Sequence, residues 1–203
     1  MDARTRGEAP LRLRRSRLRP SLGAMNDGRR RSAGEWSILA LLAEAPAHGW
    51  ALSVQLEPRG EIGAIWSLSR PLVYRALELL REDGLVEPVG ASASTRGPSR
   101  ALYRPTRRGR AALARWLSSP VEHVRDLRPD LLLKLIFLQR AGKETAALLV
   151  AQHARLELFV ADLERELEAA PPDHAMLVRY RLEIAHAALR FVEAEQLACA
   201  RIE

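Results

Sequence analysis

The chain has 203 residues, 47% of them apolar, and a net charge of +7 at neutral pH. That length buries a core in one large or two small domains. A lone cysteine, Cys199, excludes a disulfide framework and points to a reducing, cytoplasmic compartment. The longest apolar run, residues 131–138, is interrupted by Lys134 and falls well short of the roughly 18 residues of a membrane helix, so no membrane partner is expected.

The charge is concentrated at one end. Residues 1–31 hold ten arginines against three acids, while the remainder holds 22 bases and 22 acids. Within that remainder, residues 32–119 carry 11 bases and 8 acids, and residues 120–203 carry 11 and 14. The first half suits a polyanion and the second does not. Residues 1–34 are rich in Arg, Pro and Gly and read as a basic, disordered arm. Three readings of residues 1–24 stay open. They are a targeting peptide, an arm that slips arginines into a minor groove, or upstream sequence ahead of a genuine start at Met25. No function is placed on them.

From residue 35 the chain changes to helical periodicity. Residues 35–45, with Trp36, Ile38, Leu39, Leu41 and Leu42, predict a first helix that Pro46 ends. Residues 48–56 predict a second, with His48 as an N-cap-like structural contact and Ala51, Leu52 and Leu56 facing inward. Trp36 and Trp50 suit the small core between these helices. Residues 70–83 predict a third helix, with Ser69 as N-cap, Pro71 in the first turn and Gly84 at the end. Its apolar stripe is 72, 73, 76, 77, 79 and 80, which leaves Arg70, Tyr74, Arg75, Glu78 and Arg81 on other faces. Residues 85–89 and 100–104 predict a hairpin around a Gly- and Ser-rich tip. Thr106 caps a fourth helix over 107–117. Residues 85–115 hold seven arginines and one acid, Glu87. A basic hairpin behind a helix of this kind is the footprint of a winged helix-turn-helix, and nucleic-acid binding is the first hypothesis.

The second half is different. Residues 130–140 predict an apolar helix stopped at Gly142. Residues 143–169 and 173–201 predict two long helices. The first has Leu149, Leu156, Phe159, Leu163 and Leu167 on a seam; the last has Leu177, Tyr180, Ile184, Ala187 and Phe191. Two such seams exceed what this half can bury alone, which predicts a symmetric homodimer. The expected fold class is therefore mainly α. It joins an N-terminal winged helix-turn-helix with a two-stranded β wing (residues 35–119) to a C-terminal long-helix dimerisation domain (residues 120–203).

Chemistry-bearing constellations are not legible. There is no Gly-rich phosphate loop and no Ser-His-Asp or Cys-His arrangement. His123, His153, His174 and His186 lack metal-ligand spacing. Neither enzyme activity, nor a metal, nor a cofactor is expected. The reading is a DNA-binding regulator, with a winged-helix protein-interaction module as the alternative. The expected DNA-binding residues are Arg70, Tyr74, Arg75, Arg96, Arg100 and Arg107. Tyr74 and Arg75 would meet bases or phosphates from the recognition helix. Arg70 and Arg107 would meet phosphates, and Arg96 and Arg100 flank the wing tip. Tyr74 also has a reading as an aromatic brace on the first helix, and Arg75 as a solvated side chain. Trp116, near the end of the fourth helix, reads either as interfacial packing or as a surface for a flat ligand.

Three stretches together resemble the PadR family of bacterial transcriptional regulators. They are ILALLAEAPAHGWAL with His48–Gly49–Trp50, PLVYRALELLREDGLVE around Tyr74 and Gly84, and ALYRPTRRGRAALARWL around Tyr103, Thr106 and Gly109. The likeness covers about residues 35–200. Trp50 stands where the family usually shows Tyr, Arg75 where it often shows Pro, and Leu102–Tyr103 where a Tyr-Tyr pair is frequent. The resemblance implies a dimeric repressor whose C-terminal helices exchange between subunits. The reading is then a homodimeric repressor of its own or a neighbouring operon, and its two-fold axis demands a near-palindromic double-stranded DNA operator. The resemblance also implies, for some members, release by aromatic or xenobiotic small molecules.

Overall fold

The computed structural model describes residues 30–92 and 100–200. The order is α1 (Ala33–Glu44), α2 (Gly49–Gln55), α3 (Glu61–Ile65), α4 (Arg70–Glu82), β1 (Val86–Ser92), β2 (Arg100–Pro105) and α5 (Arg107–Ser118). A 3-10 turn (Val124–Asp126) and a π turn (Leu127–Leu131) lead into α6 (Leu132–Arg140), followed by α7 (Ala146–Ala169) and α8 (Pro172–Cys199). No described helix is long and apolar enough to cross a membrane.

α1 begins two residues before the start predicted at Glu35. The cause is a capping box: Glu35 N donates to Ser32 Oγ at 3.3 Å, and Ser32 N donates to Glu35 Oε2 at 2.9 Å. α1 is buried from Ala33 to Leu42 except at Trp36, so it is the central element rather than a surface helix. Residues 30–34, assigned by sequence to the disordered arm, are ordered against the body. Arg30 pairs with Asp126 at 2.5 Å and Arg31 with Asp83 at 3.3 Å.

His48 caps α2 as expected, with Ala51 N donating to its Nδ1 at 3.0 Å. The short α3 then intervenes, so the predicted third helix is α4. Ser69 occupies its N-cap position, but its side chain makes no cap hydrogen bond. α4 buries Val73, Ala76, Leu77 and Leu80. Leu72, placed by sequence in that stripe, is 54% exposed, because it lies about 100° round the helix from Val73. Gly84 ends the turn at φ 67°, a left-handed conformation that glycine adopts without a Cβ penalty.

β1 and β2 pair antiparallel from Val86↔Pro105 to Ser92↔Arg100, with a register shift between Pro88 and Gly90. β2 is also bridged to the loop before α2. Tyr103 N donates to Ala47 O at 2.9 Å, and Ala47 N donates to Tyr103 O at 3.2 Å. Thr106 caps α5 through Gly109 N and donates its hydroxyl to Gly84 O at 2.8 Å. The wing is thus tied at its base to both the α4 turn and the start of α2.

One hydrophobic cluster includes Ile38, Leu39, Leu52, Leu80, Leu113, Leu133, Leu149, Leu156 and Val192. It therefore includes residues from either side of residue 119. A second, smaller cluster, Leu163, Val178, Leu182 and Ala185, packs the outer ends of α7 and α8 together. Between the two halves, Gln152 is fully buried and holds the backbone of Val121 at both its N–H and its carbonyl.

Candidate nucleic-acid interface

The exposed side of α4 carries Arg70, Leu72, Tyr74, Arg75, Glu78 and Arg81. Three of these six, 74, 75 and 78, follow from burying 73, 76, 77 and 80, since the helical period turns them furthest from the core; 70, 72 and 81 lie at the edges of the buried face. Arg70 is the first residue of the helix, and no acid lies in the first turn. α5 repeats the pattern, opening on Arg107 and Arg108 with no acid in its first turn. Cations at a helix N-terminus oppose the macrodipole, so both starts are electrostatically incomplete and suited to an external anion.

Tyr74 is held by α2 as well as α4. A Cβ placed on Gly49 would lie 2.6 Å from the Tyr74 ring, so only glycine lets the ring lie against the start of α2. The ring therefore braces the start of α2, and about half of the residue remains exposed. Arg75 faces solvent and reaches Glu78 at 3.4 Å in a loose, exposed pair. Such a pair contributes little stability and leaves the guanidinium available. Tyr74, Arg75, Glu78 and Arg81 line one side of a shallow depression that Tyr103 of β2 closes.

Arg100 opens β2, and its guanidinium lies 5.4 Å from the centre of the Trp50 ring. Trp50 is 42% exposed. This corrects the sequence-based placement of Trp50 in the helix-turn-helix core. α2 buries Gly49, Leu52 and Ser53 and turns the intervening Trp50 outward. The inward set was readable, but the arginine that comes to lie on the indole is fifty residues away in sequence. The structure thus brings Tyr74, Trp50 and Arg100 together where α2, α4 and β2 meet. Arg104 of the wing is engaged across the hairpin by Glu87 at 2.9 Å. Arg107 is exposed on α5, at the opposite end of β2 from Arg100. Arg96 lies outside the described residues.

Trp116 sits away from this face. It stacks on Trp36 with centroids 5.1 Å apart and planes 11° apart, and the Lys134 ammonium lies 5.2 Å from its centre. Arg31 lies over the Trp36 ring at 5.6 Å. The two indoles form part of a cleft of about 420 Å³ whose other walls include Arg30, Arg31, Arg115, Asp130 and Lys134. Among the described residues, no group of three or more His, Cys, Asp or Glu side chains could hold a metal.

Residues 38–115 match the model of the Transcriptional regulator PadR-like family, as the motifs around Gly49, Tyr74 and Thr106 suggest. No curated protein matches the chain. Among solved structures, Bacillus subtilis PadR in complex with operator DNA is 19% identical, with 84% of this chain and 99% of that chain covered at a TM-score of 0.44. The same protein in complex with p-coumaric acid is 21% identical, with 83% and 96% covered at 0.36. A PadR-like transcriptional regulator of Bacillus cereus is 17% identical, with 85% and 98% covered at 0.38.

Proposed function

Starting from a PadR-like winged helix over residues 38–115, we propose that the chain is a homodimeric repressor that binds a near-palindromic double-stranded DNA operator. The observation that carries this reading is the corner of α2, α4 and β2. There Tyr74 and Arg75 stand on the exposed first turns of a recognition helix, and Arg100 of the wing is laid over an outward-facing Trp50. α4 enters the major groove in this reading, while Arg70 and Arg107 meet phosphates from helix starts that lack acids. Trp50, beside Arg100, joins the set, and Arg96 keeps its place as a wing contact.

The dimer is supported by α8. Its inner face, Val178, Leu182, Ala185 and Val192, is spent on the protomer's own cores. Leu177, Tyr180 and Ile184 are exposed large apolar side chains one step round the helix. A two-fold contact there presents two recognition helices to two half-sites. Release by a small aromatic ligand is the finer part of the reading. It rests on the Trp36–Trp116 cleft, and on the Bacillus subtilis relative having been solved with p-coumaric acid.

The test is selection of duplexes from the source genome by the purified protein, followed by mobility shift. A defined site bound with steep salt dependence is the expected result. Equal retention of all duplexes, or none, would overturn the reading in favour of a protein-interaction module.

A further inference from the structure

The chain has thirty arginines and two lysines, Lys134 and Lys143. An arginine-rich sequence that keeps a lysine inside its fold is using something guanidinium does not offer. A guanidinium stays protonated in proteins, whereas an amine becomes neutral when buried. Lys134 is 3% exposed. It stands on α6 with its amine donating to Ser119 O at 2.5 Å. Among the described residues that is the amine's one hydrogen bond, and the other contact is the Trp116 ring. Yet Lys134 is not sealed in, because it lines the open cleft of about 420 Å³ beside Trp36 and Trp116.

We infer that Lys134 is a covalent capture site for small planar aldehydes, which it binds as an imine within the Trp36–Trp116 cleft. The cleft supplies three requirements besides the amine. The Trp36 and Trp116 indoles, stacked on each other with Arg31 and Lys134 over their rings, give the cleft an apolar edge against which an aromatic body loses water. Arg31 and Arg115, which line the same cleft, give a cationic rim for an acidic substituent on the ligand. Asp130, one helical turn ahead of Lys134 and lining the same cleft, gives a proton-transfer group.

The protonation states fit. Burial lowers the Lys134 amine from 10.5 to about 8, against the opposing pull of Asp130 and Glu122. Burial also pushes the Asp130 carboxyl up from its ordinary 3.8, although the Lys134 charge opposes this. At pH 7 the neutral fraction of such an amine exceeds that of an ordinary lysine by roughly two orders of magnitude. The neutral amine's lone pair attacks the carbonyl carbon as the C=O π pair moves to oxygen. A proton passes from the nitrogen to that oxygen, giving the carbinolamine. Asp130 assists transfer of a further proton to the hydroxyl, water leaves, and the nitrogen lone pair forms C=N. The iminium N–H proton then returns to the Asp130 carboxylate, which leaves the neutral imine. No oxidant or reductant is consumed, and water reverses the step. Capture removes the donor that Lys134 gives to Ser119 O and changes the charge over Trp116.

The experiment uses the full chain, 4-carboxybenzaldehyde and sodium cyanoborohydride, which fixes an imine as a stable secondary amine. Peptide mapping then compares label at Lys134 and Lys143 in native protein and in protein unfolded by urea. The expected result is label at Lys134 in excess of Lys143 in the native chain only. That excess should grow from pH 6.5 to pH 8.5 and be weaker for benzaldehyde, which lacks the acidic group. Lys134→Arg keeps a cation for Ser119 and should lose the native label while its melting temperature stays near that of the parent. Native label confined to Lys143 or the α-amino group, or a Lys134 share equal to that in urea, would overturn the inference. None of these readings requires DNA, so they stand apart from the test of operator binding.

Discussion

At the scale of single residues, Lys134 has a measurable signature in stability. Below about pH 8 both the folded and the unfolded chain carry the ammonium. Between about 8 and the ordinary 10.5, the folded chain has lost a proton that the unfolded chain keeps. Stability therefore rises with pH across that window, by about 3 kcal/mol if the whole shift is realised. Lys134→Met should flatten the rise, as denaturant melts of both proteins at pH 7 and pH 10 would show. On the proposed DNA face, Arg75 and Arg100 should separate. Arg75→Ala should alter base preference at one position, a loss of about 1–3 kcal/mol there. Arg100→Ala should weaken all sequences alike, and Trp50→Ala should mimic it, because the indole is what Arg100 rests on. Binding measured on a panel of single-base operator changes checks all three. If Trp50→Ala alters base preference while Arg100→Ala does not, the two side chains do not act together. The local signals among these residues were legible in sequence. His48 and Thr106 cap within three positions, Gly84 marks a helix end, and Tyr74 falls off the stripe. Trp50 was misplaced because its exposure depends on where a distant wing strand runs. Arg31 was misplaced with the arm because Asp83 is fifty-two residues away.

At the scale of elements, α1 and α8 are opposite cases. α1 has a closed capping box and almost no exposed face, so Ser32→Ala should cost about 1 kcal/mol in melts, mostly through the lost cap. That box was present in the sequence as Ser32 followed by Glu35, a signal that fixes the helix start better than the apolar period does. α8 closes one face and leaves another open. Paired substitution Tyr180→Glu with Ile184→Glu should yield a monomer with an unchanged helical spectrum, since both side chains are exposed in the protomer. Sedimentation at micromolar concentration decides it, and a variant that stays dimeric would locate the contact elsewhere. The two seams on α7 and α8 were readable from sequence because a helical period is a local property. Which seam residues the chain's own core takes and which stay exposed was not. Neither was α3, a five-residue helix too short to show a period. The clamp of Gln152 on Val121 spans thirty-one residues and leaves no trace in spacing.

At the scale of the whole chain, the described body begins at residue 30. Arg30 and Arg31 are engaged by Asp126 and Asp83, so they belong with the body. A protein begun at Met25 keeps both pairs and loses seven arginines. It should retain its preference for the operator over random DNA, while its affinity depends less steeply on salt, by up to ~0.9 in logarithmic slope for each phosphate contact removed. Titrations at several salt concentrations check this, and loss of the preference would make the arm a reader of sequence.

α6 and the first half of α7 share their core with α1, α2 and α4. In the proposed dimer this makes each protomer a stiff arm rather than two bodies on a tether. The 24 residues of α7 span about 36 Å. A tilt of about 10° between the paired α8 helices, carried along a lever of that length, displaces its far end by about 6 Å, close to two base-pair steps. Fitting to a half-site spacing is then a question of angle at the two-fold axis, where small changes in packing become whole steps along the duplex.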